Sequence, residues 1–357
     1  MSIVRIDVFN VRNIQKASIC PSNRINLISG CNGSGKTSFL EAIYLLALGK
    51  SFRTHHVQKV VTSGADSLIV FAEYLSNHNT VTVGVERGEG NTRLRINGNN
   101  VGSVAELAHL IPVQLINPDS HQLIELGPRY RRQFVDWGMF HVEQEFFPVW
   151  CRFNQALRQR NAALRLGAQD SEIAVWHGEM SACAVRISQL RSSYISELML
   201  VARDAVSSML GEEIDIRFIP GWPADEPYET YLTRTTQLDR NAGYTRQGPH
   251  RADLAICVNG LPARDRVSRG EQKVLATALR LAQIELMRKK TGQPCVVLLD
   301  DLPSELDHER RSLVIDYLEG LGCQTFVTAT DQQLLEDKGD LIDKVFHVEH
   351  GNIKEMV

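Results

Sequence analysis

Eight consecutive residues, Gly30-Cys31-Asn32-Gly33-Ser34-Gly35-Lys36-Thr37, match the spacing G-x-x-x-x-G-K-[ST] at every fixed position. Glycines at these places let the backbone curl so that several N–H groups turn toward one anion. A Lys directly after the last Gly reaches the outer phosphates of a nucleoside triphosphate, and the Thr hydroxyl beside it is a hard oxygen ligand for Mg²⁺. The spacing therefore assigns Gly30, Asn32, Gly33, Ser34, Gly35, Lys36, Thr37 and Ser38 to a nucleotide's phosphates. A second group sits far along the chain: Val296-Val297-Leu298-Leu299-Asp300-Asp301 is an apolar run ending in two carboxylates. A buried strand of this kind carries its last residues to a sheet edge. Asp300 is placed to hold Mg²⁺ together with Thr37. Asp301 is placed to polarise an attacking water as a general base. Gln114 ends the run Ile111-Pro112-Val113 and has two readings, a polar strand-end residue or a contact to the metal or water.

These groups need a scaffold that brings residues ~260 positions apart to one edge. Residues 24–29 read as a strand and 38–46 as a helix, so the glycine loop has the strand–loop–helix context its chemistry requires. Alternation predicts further strands at 3–9, 68–75, 80–87 and 92–96, with Asn97-Gly98 as a tight hairpin turn. Later strands are predicted at 214–219, 252–258, 295–299, 324–329 and 344–348, with a polar loop after 219 and an Asn259-Gly260 turn. Between them, Cys183, Ile187, Leu190, Tyr194, Leu198, Val201, Ala205 and Met209 recur at helical spacing. Residues 150–166 supply an antiparallel partner. The fold class expected is α/β, a mixed sheet with an antiparallel layer. A nucleotide head formed by 1–125 and 211–357 is split by a helical insert lobe, 126–210.

Bulk properties narrow the classes further. With 357 residues there is room for two units, and 43% hydrophobic with 23% charged residues is ordinary for a globular chain. The net charge of −3 offers no global attraction to nucleic acid, so any such binding must be local. Of 39 basic residues, 29 are Arg and 10 are Lys, a choice that favours planar recognition of phosphate or carboxylate. Seven cysteines lie scattered without a C-x-x-C pair, which argues for a reduced, cytoplasmic setting and against structural zinc. No apolar stretch approaches the 18 residues that would predict a membrane span.

Ser268-Arg269-Gly270-Glu271 opens a predicted helix, 268–288. Ser268 with Glu271 forms a capping box, and a helix start of this kind also suits an anion. The segment resembles the signature motif of ABC-type ATPases, in which Ser and Gly meet the γ-phosphate of a nucleotide held by a second subunit. Ser304-Glu305-Leu306-Asp307 stands where such ATPases carry their D-loop. The strand 324–329 ends at Thr330-Asp331 where many carry a His, and Thr330 is the substitute in this chain. AAA+ and helicase readings have no use for Ser268-Arg269-Gly270, and kinase or GTPase readings fit the long gap poorly.

Over essentially its whole length the chain resembles the RecF family of the ABC/SMC ATPase superfamily. The marks are Val11-Arg12-Asn13, the glycine loop, Pro118-Asp119 and the run from Gly127 to Asp136. Gln159-Arg160-Asn161-Ala162, Gly248-Pro249-His250-Arg251 and the segment from Leu299 to Asp307 complete them. Leu126 and Val267 depart from the family's usual Gly and Leu. The resemblance implies an ABC-type head bearing a short helical lobe, with ATP and Mg²⁺ as cofactors. It implies ATP-dependent homodimers that clamp double-stranded, single-stranded or gapped DNA, and a weak DNA-dependent ATPase that resets them. It further implies work with RecO and RecR to load RecA, with links to replication restart and the SOS response. Arg129, Arg131, Arg132, Arg158 and Arg160 are candidate DNA contacts, although Arg131 and Arg132 equally suit ion pairs with Asp136. The competing class is an ABC nucleotide-binding subunit or another SMC-like ATPase outside repair. The transporter form calls for the switch His that this chain lacks.

Overall fold

The computed structural model describes residues 1–76, 79–223, 225–301, 306–330 and 339–356. Ser304 and Glu305 of the expected D-loop segment, and Asp331, lie outside them. The chain divides into two compact units, Met1–Ser120 with Thr291–Val357, and His121–Lys290.

In the first unit, β1 (Ser2–Val11), β2 (Ile14–Ile19), β3 (Ile25–Ser29), β4 (Ser67–Ser76), β5 (Asn79–Gly88), β6 (Asn91–Ile96), β7 (Asn99–Asn100) and β8 (Val113–Ile116) precede the chain's excursion into the second unit. There it forms β9 (Ile214–Ile219), β10 (Asp253–Val258) and β11 (Leu261–Pro262). It returns as β12 (Val296–Leu299), β13 (Gln324–Ala329), β14 (Ile342–Glu349) and β15 (Asn352–Met356). Among the described residues the first unit holds two six-stranded sheets. One is antiparallel, ordered β2-β1-β4-β5-β6-β7. The other is ordered β15-β14-β3-β13-β12-β8. Its β14, β3, β13, β12 and β8 run parallel, and β15 closes one edge antiparallel.

The parallel strands explain how distant motifs meet. Leu27 of β3 lies beside Val327 of β13, which lies beside Leu299 of β12. The carboxyl ends of all three therefore open on the same side, where ligands bind in open α/β sheets. The helix Lys36–Leu48 carries apolar residues nearly all round, as a helix enclosed by neighbours must. Phe39, Leu40, Ile43 and Leu46 share one core with Val8 and Val70 of the antiparallel sheet and Leu298 and Phe326 of the parallel one. Each such side chain contributes ~1.5–3 kcal/mol on burial, so the helix bearing Lys36 is fixed from two sides. It stops at Gly49, whose left-handed φ of 57° lets its N–H cap Leu45 O.

The second unit is mostly helical. His177–Leu210 spans 34 residues, and every position of the predicted stripe from Cys183 to Met209 is buried. Phe146–Arg165 packs along it. Pro128–Val142 crosses it so closely that a Cβ on Gly138 would lie 1.8 Å from the Tyr194 hydroxyl. Only Gly fits there. Two features depart from the sequence reading. The polar loop expected after 219 contains helices at Tyr228–Arg234 and Thr236–Ala242. The unit also continues past 210 to Lys290, because β9 packs on His177–Leu210, β10 packs on Pro128–Val142, and the helix Arg269–Thr291 is bonded to both of those helices. The Gln283 amide donates to Phe134 O at 2.8 Å and to Tyr194 Oη at 2.9 Å, tying the last of these into the unit. Among the described residues no helix is long and apolar enough to cross a membrane.

Candidate nucleotide-binding site

The loop between β3 and the helix Lys36–Leu48 has the backbone its glycines allow. Gly30, Gly33 and Gly35 adopt φ of 151°, 78° and 124°. A Cβ on Gly30 would meet Val348 O at 2.3 Å, so the loop is seated tightly on β14. The turn between β1 and β2 braces it from outside. Asn13 donates through its amide to Ser34 O at 2.9 Å and Gly33 O at 3.3 Å, and accepts from Ser38 Oγ at 3.0 Å. Arg12 beside it is held by both oxygens of the buried Glu41 at 2.9 Å each.

Beside the loop opens a cleft of about 480 Å³, lined among others by Lys36, Thr37, Asp300, Asp301, Arg12 and Arg53. The Lys36 ammonium is nearly buried and donates to Gly30 O at 2.6 Å and Cys31 O at 3.0 Å. Burial lowers its pKa, while the charges of Asp301 and Asp300 oppose that shift. Thr37 Oγ1 donates to Asp300 Oδ1 at 2.9 Å. Burial raises the Asp300 pKa against the hydroxyl donors Thr328 and Thr37. The structure thus brings Lys36, Thr37, Asp300 and Asp301 to one cleft, with Asn32, Gly33, Gly35 and Ser38 around it; Gly30 and Ser34 are not among its lining residues. The oxygen-only pair of Thr37 and Asp300 is the hard donor set Mg²⁺ prefers, and these are the residues that would hold it.

Two expected positions differ. Gln114 lies within β8, in register with Val297 and buried, rather than at the strand's carboxyl end. It does not line the cleft. Asn117 and Asp119, just beyond the strand, do. On β13 the residue lining the cleft is Thr328, with Thr330 exposed at the strand's end. In the sequence Arg12, Asn13 and Asp119 stand only as family marks, and Arg53, Asn117 and Thr328 belong to no motif. The available signal was position: each follows or ends a strand at the sheet edge, or follows the loop helix.

The residues that resemble the signature motif lie in the other unit. Ser268 and Glu271 form the expected capping box, with Ser268 N donating to Glu271 Oε2 at 2.8 Å. Ser268, Arg269 and Gly270 are exposed, and a Cβ on Gly270 would meet nothing within 4 Å. The candidate DNA arginines divide sharply. Arg160 is 0% exposed; it donates to Asp239 at 2.9 Å and Thr245 at 2.7 Å and lies 3.2 Å from the His177 ring nitrogen. It is a core residue and not a surface contact. Arg131 pairs with Asp253 at 2.6 Å, and Arg132 donates to Ala252 O at 2.9 Å. Both are therefore engaged in holding β10. Asp136, their alternative partner, is instead bonded by Arg191 at 2.6 Å. Arg129 and Arg158 are exposed.

A parallel sheet assembled from both ends of the chain, with the glycine loop after β3 and the paired carboxylates after β12, one strand removed across β13, defines a nucleotide-binding ATPase head of the ABC/SMC type. The RecF/RecN/SMC N-terminal domain model matches residues 2–354. The chain is 44% identical to the DNA replication and repair protein RecF of Pseudomonas paraeruginosa, covering 99% of this chain and 98% of that one. It is 40% identical to RecF of Vibrio parahaemolyticus, with 99% of each covered. A solved structure of the recombination mediator protein RecF with ATP superimposes with a TM-score of 0.90 at 26% identity, covering 100% of this chain and 98% of that one. An Smc head bound to the C-winged helix domain of ScpA shares the fold, with a TM-score of 0.61 at 15% identity. The chain belongs to the RecF family.

Proposed function

We propose that this chain is an ATP-dependent, DNA-binding mediator of replication and recombinational repair. The observation that carries the reading is the convergence of Lys36, Thr37, Asp300 and Asp301 in one cleft, in a chain so closely related to RecF proteins. On this reading Lys36 exchanges its carbonyl partners Gly30 and Cys31 for phosphate oxygens of ATP. The loop N–H groups surround the same charge. Mg²⁺, when bound, neutralises charge on the β- and γ-phosphates. Thr37 spends its proton on Asp300, which leaves its lone pairs for the metal. Asp301 orients water for a slow hydrolysis that works as a reset.

The exposed cap at Ser268–Gly270 is the surface on which a second copy's γ-phosphate docks, so ATP holds two copies together. The dimer closes on DNA at gaps or single-strand/double-strand junctions. RecO and RecR are the partners with which it helps load RecA, in replication restart and SOS induction. Arg129 and Arg158 are the lobe arginines available to DNA phosphates.

The test is DNA binding with and without ATP, on duplex, single-stranded and gapped DNA over a series of salt concentrations. Tighter binding with ATP, strongest on gapped or duplex DNA, is expected. Equal binding with and without ATP on every substrate contradicts the reading.

A further inference from the structure

The paired carboxylates are held by one hydroxyl that neither the glycine loop nor the carboxylate strand supplies. Thr328 sits in β13, fully buried at 0% exposure, and lines the cleft. Its Oγ1 donates to Asp300 Oδ1 at 2.9 Å and accepts from the Asp301 backbone N–H at 2.8 Å. A hydroxyl has one proton to give, and here it goes to Asp300, while a lone pair takes the N–H. The same Asp300 oxygen also accepts from Thr37 at 2.9 Å. Asp301 is the only residue of the pair with an unusual backbone: its φ is 56°. Asp enters that left-handed region more readily than most residues with a Cβ, yet the conformation still costs free energy that a contact such as the Thr328 bond offsets. Such strain at a cleft is a device for aiming a side chain.

We propose that Thr328 is a positioning residue for hydrolysis. It fixes the left-handed turn that aims the Asp301 carboxylate, and it couples that aim to the orientation of Asp300. Three independent features agree. β13 is central in the parallel sheet, between β3 and β12, so the hydroxyl is mounted on a rigid element. Both its bonds go to the two residues that chemistry needs. And the side chain is isosteric with Val, which the buried strand would accept equally well, so packing alone does not call for a hydroxyl. Removing it leaves the Asp301 N–H without its partner and frees the turn to relax, while Lys36, the loop glycines and Thr37 stay in place. Nucleotide affinity and hydrolysis should therefore separate.

This inference rests on the ATPase reading above, and the experiment distinguishes the two. Thr328→Val, Thr328→Ser, Lys36→Ala and the wild type are compared by fluorescent-ATP titration, by Mg²⁺ dependence of that titration, and by single-turnover hydrolysis. Thr328→Val is expected to bind ATP within about twofold of wild type while hydrolysing it roughly 10–100-fold more slowly, the usual loss when a supporting contact behind a reactive group is removed. Its Mg²⁺ half-saturation should rise, because Asp300 is less well oriented. Thr328→Ser, which keeps the hydroxyl, should restore both. Wild-type hydrolysis by Thr328→Val overturns the positioning role. So does a parallel loss of ATP affinity and melting temperature that Thr328→Ser does not restore, because that pattern belongs to a packing residue. No ATP binding by the wild type would instead overturn the function proposed above.

Discussion

Each unit of the molecule buries a cluster of charged side chains, and the two clusters are built on opposite rules. In the helical unit Arg160 is enclosed, with Asp239, Thr245 and His177 around it and the Leu232 carbonyl at 3.4 Å. Asp239 also accepts from Arg246. A guanidinium fully buried with four of its five N–H groups bonded has nothing to offer a ligand. In the nucleotide unit Lys36 is also nearly buried, yet it faces a cleft and its partners are two carbonyls of its own loop. Neutral partners on a glycine backbone are readily exchanged for a phosphate; a buried carboxylate is not. Among buried cations, then, the partner's charge separates the one that binds from the one that braces.

The strongest way to break this contrast is Lys36→Ala. ATP binding should fall at least 100-fold in an equilibrium titration, while the nucleotide-free melting temperature changes little, since only two bonds to neutral carbonyls go, worth ~1–2 kcal/mol against the relieved desolvation. Arg160→Met should do the reverse. It leaves Asp239 without its buried cation, a change that typically costs ~3–5 kcal/mol, so the helical unit should melt markedly earlier in calorimetry. ATP affinity, measured below that transition, should stay near wild type. An Arg160→Met protein of wild-type stability would erase the contrast.

Acid sharpens it further. Burial, with the Arg160 charge adding to it, depresses the His177 pKa to about 4, and burial likewise takes His250 to about 4. Both are neutral in the folded unit, whereas the unfolded chain protonates them near 6.5. The unfolded state therefore binds more protons between these values. The stability associated with the neutral rings is complete above about 6.5 and is lost as pH falls toward about 4. Melting curves from pH 7 to 4 should show the helical unit weakening over that window. His177→Gln should flatten the slope, and an unchanged slope in that variant would remove His177 from the account.

The smallest effect is expected at the surface. Arg129→Ala and Arg158→Ala should each leave stability within ~0.5 kcal/mol. Each should weaken DNA binding alike on all sequences and reduce the salt slope by about one. Unchanged DNA affinity in both would leave the lobe's basic side without a role.

How much of this could be read from the chain follows the range of the interactions. The glycine loop, the carboxylate strand and the stripe from Cys183 to Met209 are local patterns, and each folds as its own spacing dictates. Arg160 could not be read locally, because its partners Asp239 and Thr245 are 79 and 85 positions away. A basic residue on a helix looks the same in sequence whether its partner is DNA or a distant Asp. Gln114 and Thr330 illustrate a narrower limit: neither lines the cleft, because the parallel register places Gln114 inside β8 and brings Asn117 and Thr328 to the cleft instead. The helices Tyr228–Arg234 and Thr236–Ala242 are short and polar, and they form against the Arg160 network rather than from their own periodicity.

The central claim is that the exposed cap at Ser268 completes the site of a second copy. Sedimentation velocity of wild type and Ser268→Arg, each with and without ATP and Mg²⁺, tests it most directly. The account predicts that wild type passes from monomer to dimer with ATP, while Ser268→Arg binds ATP equally well and stays monomeric. ATP-dependent dimers of Ser268→Arg at wild-type strength would contradict it.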